Sequence, residues 1–177
     1  MPGVSRLDSL DIVLGGADRP FSRSEKLALA EEKNQTYRAL LEGLTPADAA
    51  PGAVETLTEL RRRGYRLALA SGSGNAGLIL ARTGLGALLD AAADGTCVKR
   101  SKPHPEVFLT AARLVGAPAE RCAAVDDAEA GIQAGRAAGM LTVAVGDAAR
   151  RGLGDHAVTG LKELLTLFPG PGAGGGR

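Results

Sequence analysis

The chain has 177 residues, 45% of them hydrophobic, and a formal net charge of +1. This is enough apolar sequence for the core of one α/β domain with a small additional one. Proteins that bind nucleic acid use basic surfaces and aromatic stacking, so the near-neutral charge, 3% aromatic content and lack of Trp argue against such a partner.

The sequence also gives no sign of a membrane partner. No stretch reaches the ~20 apolar residues of a membrane span, and the first residues lack the charged-then-apolar order of a signal peptide. Cys97 and Cys122 have no His or Cys at metal-ligand spacing, which favours reduced thiols over a disulfide or a zinc site. We therefore expect a cytoplasmic protein.

The first part of the chain is predicted to be helical. The apolar residues of "SRLDSLDIVL" have helical spacing. "SRSE", from Ser22 to Glu25, is a capping box and predicts a helix to about Glu42, stopped by Gly43. These segments predict a small helical domain over residues 1–48, followed by "TPADAAPG" as a linker rich in turn residues.

Residues 49–168 are predicted to form an α/β core. Val54, Leu57 and Leu60 line a helix that ends at Gly64. Strands and helices then alternate, through the strand "YRLALA", a helix from Asn75 to Thr83, a short strand at Ala91 to Ala93, a helix in "PEVFLTAARLVG", the strand "RCAAVDD", a helix in "AEAGIQAGRAAG" and the strand "LTVAVG". This alternation predicts a doubly wound parallel sheet covered on both faces. Residues 169–177, "PGPGAGGGR", are expected to be a disordered tail.

Polar residues follow the predicted strands at the edge where such sheets bind ligands. Ser71 follows the first strand, Asp126 and Asp127 follow a later one, and "SKPHPE" puts Lys102 on a loop between them. A hydroxyl, backbone N–H groups and an ammonium suit a phosphoryl group. Carboxylates would repel a phosphate unless a hard cation lay between them, so the set predicts Mg²⁺ held by the two aspartates.

Each residue has a simpler interpretation. Asp127 could cap the next helix, Ser71 could satisfy loop backbone, and Lys102 could be a solvated loop lysine. "SGSGNAG", residues 71–77, also spells the G-x-G-x-x-G of dinucleotide sites, with Asp94 at the distance of the ribose acid. That interpretation leaves Lys102 and the acidic pair without a role. The order of three polar elements on successive strand ends favours a phosphate site instead.

These segments resemble a known superfamily. Ser71 after a strand, "KPHPEVF" and "AVDDAEAGIQAGRAAGM" resemble the second, third and fourth motifs of the haloacid dehalogenase superfamily of phosphotransferases. "GVSRLDSL", "KNQTYRALLEGLTPADAAPG" and "LALASGSGN" are similar to its β-phosphoglucomutase branch. The resemblance covers nearly all of residues 3–168 and implies that the helical domain is a partial cap.

The resemblance implies a mechanism and residue roles. Such enzymes use an Asp nucleophile, a second Asp two residues on as general acid and base, and Mg²⁺, and they interconvert β-glucose 1-phosphate and glucose 6-phosphate. By resemblance, Ser71 and Lys102 are the catalytic residues that hold the transferring phosphate, and Asp126 and Asp127 hold the metal. Four residues would grip the second phosphate: Ser5, Arg6, Ser73 and Asn75. A monomer acting on a sugar phosphate is expected.

The sequence departs from the family at three points. Pro2 and Gly74 stand where the family often has Lys, and no D-x-D occurs in the chain. The resemblance implies about forty preceding residues that carry the first core strand and both catalytic carboxylates. Without that central strand we expect unpaired backbone groups, marginal stability and almost no turnover. A sugar-phosphate phosphatase and a non-catalytic sugar-phosphate-binding protein are the alternatives.

Overall fold

The first helix of the computed structural model follows its sequence signals closely. Helix α1 spans Arg23–Glu42. The Ser22 hydroxyl accepts from the Glu25 N–H at 3.3 Å, and the Glu25 carboxylate accepts from the Ser22 N–H at 2.8 Å. The structure describes residues 14–16 and 19–170, so most of the preceding predicted helix and most of the tail lie outside it. No helix in these ranges is both long and apolar enough to cross a membrane.

The rest of the described chain alternates as the sequence predicts. The helices are α2 (Ala53–Arg62), α3 (Ala76–Thr83), α4 (Glu106–Leu114), α5 (Glu129–Ala137), α6 (Gly146–Arg150) and α7 (Leu164–Leu167), and the strands are β1 (Ala68–Ala70), β2 (Ala91–Ala93), β3 (Ala123–Asp126), β4 (Leu141–Ala144) and β5 (His156–Ala157). Every strand pair is parallel. The predicted α/β class with a parallel, doubly wound arrangement is confirmed, while β5, α6 and α7 are elements that the sequence patterns missed.

The described strands form two sheets rather than one. β1 pairs with β2, and β4 lies between β3 and β5, but no ladder joins β1 to β3. At the ends of β1, the backbone groups of Leu67 and Ser71 form hydrogen bonds toward β2. At the ends of β3, the backbone carbonyls of Cys122 and Asp126 accept hydrogen bonds from the β4 side. Because backbone groups alternate along a strand, Ala68 and Ala70 of β1 and Ala123 and Val125 of β3 direct theirs toward the division between the sheets.

One apolar cluster nevertheless joins the two sheets. Ala68 and Ala70 of β1 pack on the same buried cluster as Ala124 of β3, which also contains Val107 and Phe108 of α4. The strands are rich in alanine, so the helices approach them closely. A Cβ at Gly135 of α5 would lie 2.7 Å from the Ala124 Cβ, so the helix packs here only with glycine.

Helix α2 buries only part of the face that its leucine and valine spacing predicts, because Leu60 is buried and Leu57 half-buried while Val54 is exposed. Val54 is 47% exposed, and the buried positions are Ala53, Thr56 and Leu60. At the end of α2, Arg63 donates to the Phe168 carbonyl at 2.7 Å and to the Leu165 carbonyl, while its Nε pairs with Glu59 at 2.8 Å. This arginine therefore fastens α7 to α2.

Candidate functional site

Lys102 lies at the division between the two sheets. Its Nζ donates to the Ala70 carbonyl of β1 at 3.0 Å and to Asp126 Oδ2 at the end of β3 at 2.7 Å. Only 11% of the Lys102 side chain and 9% of the Asp126 side chain are exposed. The ammonium also stands 4.8 Å from the centre of the buried Phe108 ring, a cation–π contact. Lys102 is thus an engaged, nearly buried cation rather than a solvated loop lysine.

The loop before α4 positions this ammonium. The Lys102–Pro103 peptide bond is cis, and the His104 N–H donates to the Ser101 carbonyl at 2.9 Å. The Glu106 carboxylate accepts from the Lys99 N–H at 3.0 Å and the Arg100 N–H at 3.2 Å. These bonds, led by the one from Lys99, lower the pKa of Glu106 and hold the loop against α4. His104 Nδ1 accepts from the Glu106 N–H at 3.2 Å, so this histidine helps to begin the helix.

The loop between β1 and α3 is closed by its own serines. Ser71 Oγ accepts from the Ser73 N–H at 3.1 Å, and Ser73 Oγ accepts from the Asn75 N–H at 3.2 Å. The loop after β2 lies against it, since a Cβ at Gly95 would fall 2.4 Å from the Gly72 carbonyl oxygen. Ser71 therefore satisfies loop backbone in this structure, and it does so one residue from the carbonyl that Lys102 binds.

Asp126 completes the junction on the β3 side. Its Oδ1 accepts from the Ala128 N–H at 3.0 Å while Oδ2 receives the Lys102 ammonium. Gly131 of α5 lies directly beneath it, because a Cβ there would stand 1.9 Å from the Asp126 Cγ. The carboxylate can point toward Lys102 only because α5 has no side chain at this position.

Asp127 is exposed and does not cap α5. The helix begins at Glu129, and Ala128 at the cap position supplies no side-chain bond. The two adjacent carboxylates are hard oxygen donors of the kind that suits Mg²⁺, which keeps several waters and needs only one or two carboxylates. Within residues 14–16 and 19–170, no group of three or more His, Cys, Asp or Glu side chains could hold a metal ion. The chemistry of the pair fits Mg²⁺ with water and phosphate oxygens as further ligands.

Asn75 connects this edge to helix α1. It is 6% exposed, its Nδ2 donates to Asn34 Oδ1 at 2.9 Å, and its Oδ1 accepts from Arg38 Nη1 at 3.3 Å. Ser5 and Arg6, the other predicted residues of the second phosphate site, lie outside the described residues. The structure thus brings Lys102 to Asp126 and to the strand end before Ser71, and it joins Ser73 to Asn75.

Several contributors to this edge were not identified from the sequence. They are Asn34, Arg38, Gly95, Phe108 and Gly131. The spacing of Gly131 and Gly135, four residues apart in "AEAGIQAG", was the one available signal of close helix packing. The alternative ribose acid, Asp94, closes its own turn by accepting from the Thr96 N–H at 2.9 Å and from the Thr96 hydroxyl, which lowers its pKa.

Comparison with known proteins supplies the family. The haloacid dehalogenase-like hydrolase family matches residues 7–139. The chain is 40% identical over 148 residues to a beta-phosphoglucomutase of Bacillus subtilis, a match that covers 82% of this chain and 66% of that protein. It is 36% identical over 118 residues to a fructose-1-phosphate phosphatase of Escherichia coli, covering 67% of this chain and 62% of that protein. The chain belongs to the haloacid dehalogenase-like hydrolase family and is beta-phosphoglucomutase-like within it.

A solved structure agrees with this assignment. The crystal structure of a beta-phosphoglucomutase from Clostridium difficile superposes with a TM-score of 0.84 at 35% identity, over 92% of this chain and 74% of that one. Such a TM-score supports the α/β architecture described above. The matches amount to about two thirds of the length of the curated relatives, 66% of the Bacillus protein and 62% of the Escherichia protein.

Proposed function

We propose that the edge around Lys102 binds the phosphate of a sugar phosphate, and that the chain contributes this site to a beta-phosphoglucomutase-type phosphoryl transfer. The supporting observation is the position of the Lys102 ammonium, which contacts the ends of β1 and β3 at 3.0 and 2.7 Å. A cation held at the carboxyl ends of parallel strands can neutralise a phosphate that enters there.

The proposed roles depend on the chemistry of each side chain. Lys102 neutralises the transferring phosphate, and the Ser71 hydroxyl turns from the loop backbone to donate to a phosphate oxygen. Asp126 and the exposed Asp127 hold Mg²⁺, which would screen the negative charge of phosphate and carboxylates when bound. Asp126 also keeps the ammonium aimed at the site until a phosphate arrives. Ser5, Arg6, Ser73 and Asn75 serve a second phosphate in this proposal.

Two other functions remain as candidates. A sugar-phosphate phosphatase is favoured by the 36% identity to a fructose-1-phosphate phosphatase. A non-catalytic sugar-phosphate-binding protein is the second alternative, because the contacts of Lys102 can hold a phosphate without any turnover. All three functions share the phosphate site and differ in the fate of the bound phosphate.

Calorimetric titration with β-glucose 1-phosphate and with glucose 6-phosphate, each with and without MgCl₂, tests the shared site. We expect Lys102→Gln to weaken binding at least about tenfold and Ser71→Ala about fivefold, since one charge-assisted and one neutral hydrogen bond are lost. Lys99→Gln changes an exposed lysine of the same loop and serves as the matched control. Equal affinity in Lys102→Gln and Lys99→Gln would refute the site.

Phosphorus NMR of the same mixtures separates the three functions. Glucose 6-phosphate formed from β-glucose 1-phosphate indicates the mutase, and free inorganic phosphate indicates the phosphatase. Binding without either product supports the non-catalytic protein.

A further inference from the structure

The side of the site that faces α1 carries a cation outside the predicted set. Arg38 lies one helical turn after Asn34, so both side chains are on one face of α1. Together they hold the amide of Asn75, with Nδ2 bonded to Asn34 and Oδ1 bonded to Arg38. The cap helix thus places a guanidinium at the entrance to the Ser71–Asn75 loop.

The charge of Arg38 is not neutralised in the part of the chain that the structure describes. Its one recorded contact is the 3.3 Å bond to Asn75, and no carboxylate there lies within ion-pair distance of it. The side chain is exposed, and a guanidinium has five N–H donors, so most of them are available. By contrast, Arg19, Arg62 and Arg63 are paired with glutamates at 2.6 to 2.8 Å.

The loop beside Arg38 has hydroxyl donors but no cation of its own. Gly72 and Gly74 carry no side chain, and Ser71 and Ser73 are neutral. The Lys102 ammonium is already bound to Asp126 and the Ala70 carbonyl. Arg38, which contacts Asn75 at 3.3 Å, can therefore supply the positive charge for a second anionic group that enters on the α1 side.

We propose that Arg38 supplies the cation for the second phosphate of a sugar bisphosphate, beside Asn75 and next to Gly74, which has no side chain. This inference rests on the proposed function, since it presumes that the first phosphate is held near Lys102. A guanidinium fork matches two phosphate oxygens at once. The Asn75 amide orients that fork through its bond to Nη1.

Titration with glucose 1,6-bisphosphate and with glucose 6-phosphate tests this role. We expect Arg38→Gln to weaken bisphosphate binding about 10- to 100-fold and to change monophosphate binding less than about threefold, with Arg38→Lys intermediate. Arg23→Gln is the matched control, because Arg23 is an exposed arginine at the start of the same helix, about 22 Å away along its axis. It should leave both affinities unchanged.

Asn34→Ala distinguishes the effect of the Arg38 charge from the effect of holding α1 against Asn75. This variant removes a bond that holds α1 to Asn75 without changing the net charge. If Arg38 acts only by docking α1, Asn34→Ala and Arg38→Gln will weaken the two ligands alike, and the proposal is then wrong. Absence of bisphosphate binding by the unchanged chain would overturn it as well.

The two proposals fail in distinguishable ways. Bisphosphate binding that is lost in Lys102→Gln but kept in Arg38→Gln would preserve the phosphate site and refute the role of Arg38. Binding that survives both changes would refute both. Thermal unfolding of each variant, followed by circular dichroism, verifies that the compared proteins are folded.

Discussion

At the scale of single residues, the site depends on glycines, which have no side chain, as much as on its polar residues. Asp126 reaches Lys102 because Gly131 leaves room beneath the carboxylate, and the two loops meet because Gly95 has no Cβ. Lys102, Ser71 and the two aspartates were singled out from the sequence by their residue types and their positions after strands, and their roles at a phosphate site stay predictions. The glycines could not, because their role is defined by a neighbour from another element.

Gly131→Ala tests this close approach. The new Cβ would stand 1.9 Å from the Asp126 Cγ, so the carboxylate or α5 must move, and we expect a loss of about 1–3 kcal/mol from overpacking. The Lys102 bond to Asp126 should weaken with it. Urea unfolding measures the stability, and phosphate titration measures the site.

Gly77→Ala is the matched control for that experiment. Gly77 also lies in the first turn of a helix, but a Cβ there would meet no atom within 4 Å. We expect this change to be neutral or to stabilise by up to about 1 kcal/mol, because alanine is the better helix former. A similar loss in both variants would contradict the packing explanation for Gly131.

At the scale of elements, local signals located most helices well. The capping box begins α1 at the predicted residue, and Gly43 ends it. The buried face of α2 was predicted less well, since Val54 is exposed while Thr56 is buried. The fold places α2 beside α7, a short helix that the sequence patterns missed, so the local pattern could not include this long-range contact.

Ser22→Ala should destabilise the start of α1. The change removes the acceptor for the Glu25 N–H, and we expect a loss of about 1 kcal/mol in the free energy of unfolding. Circular dichroism during urea unfolding measures it. Ser24→Ala, at the exposed second residue of α1, is the comparison. An equal loss of stability there would argue against a capping role for Ser22.

Glu59 should make the α2–α7 contact sensitive to acid. Hydrogen bonds from Arg62 and then Arg63 lower the pKa of Glu59 from 4.5 to about 2. A lowered folded-state pKa stabilises the fold above the unfolded value, and this stability is lost as the pH falls from 4.5 toward 2. We expect Glu59→Gln to flatten the fall of the melting temperature over that interval.

The control for the acid experiment is on the same helix. Glu55→Gln also removes one exposed carboxylate but none of the bonds to Arg62 and Arg63. Melting temperatures measured from pH 6 down to pH 2 should fall in this variant as in the unchanged chain. A flattened curve in Glu55→Gln as well would show that the effect does not come from the arginine contacts.

At the scale of the whole molecule, the division between β1 and β3 is the main departure from a continuous sheet. The alternation of strands and helices predicted the parallel α/β class, because each element carries its own period. Pairing across the division could not be predicted in that way, since it depends on which edges the fold brings together. Among residues 14–16 and 19–170, no ladder joins β1 to β3, so these strands form two separate sheets.

Amide hydrogen exchange tests that division. We expect the amides of Ala68, Ala70, Ala123 and Val125, which face it, to exchange at least about 100-fold faster than those of Leu69 and Ala124. The latter two face β2 and β4 and serve as internal controls. Equal protection of both sets, measured by NMR, would mean that another chain segment covers these edges in solution.

The ammonium of Lys102 has a consequence for the mechanics of the protein. It binds the Ala70 carbonyl of one sheet and the Asp126 carboxylate of the other at the same time, and so links the two sheets. A phosphate that competes for this cation would weaken the link between the two sheets. Because such linkage is reciprocal, separating the sheets would change the affinity for phosphate by the same factor. At the proposed site, phosphate occupancy and the alignment of the two sheets are therefore coupled equilibria.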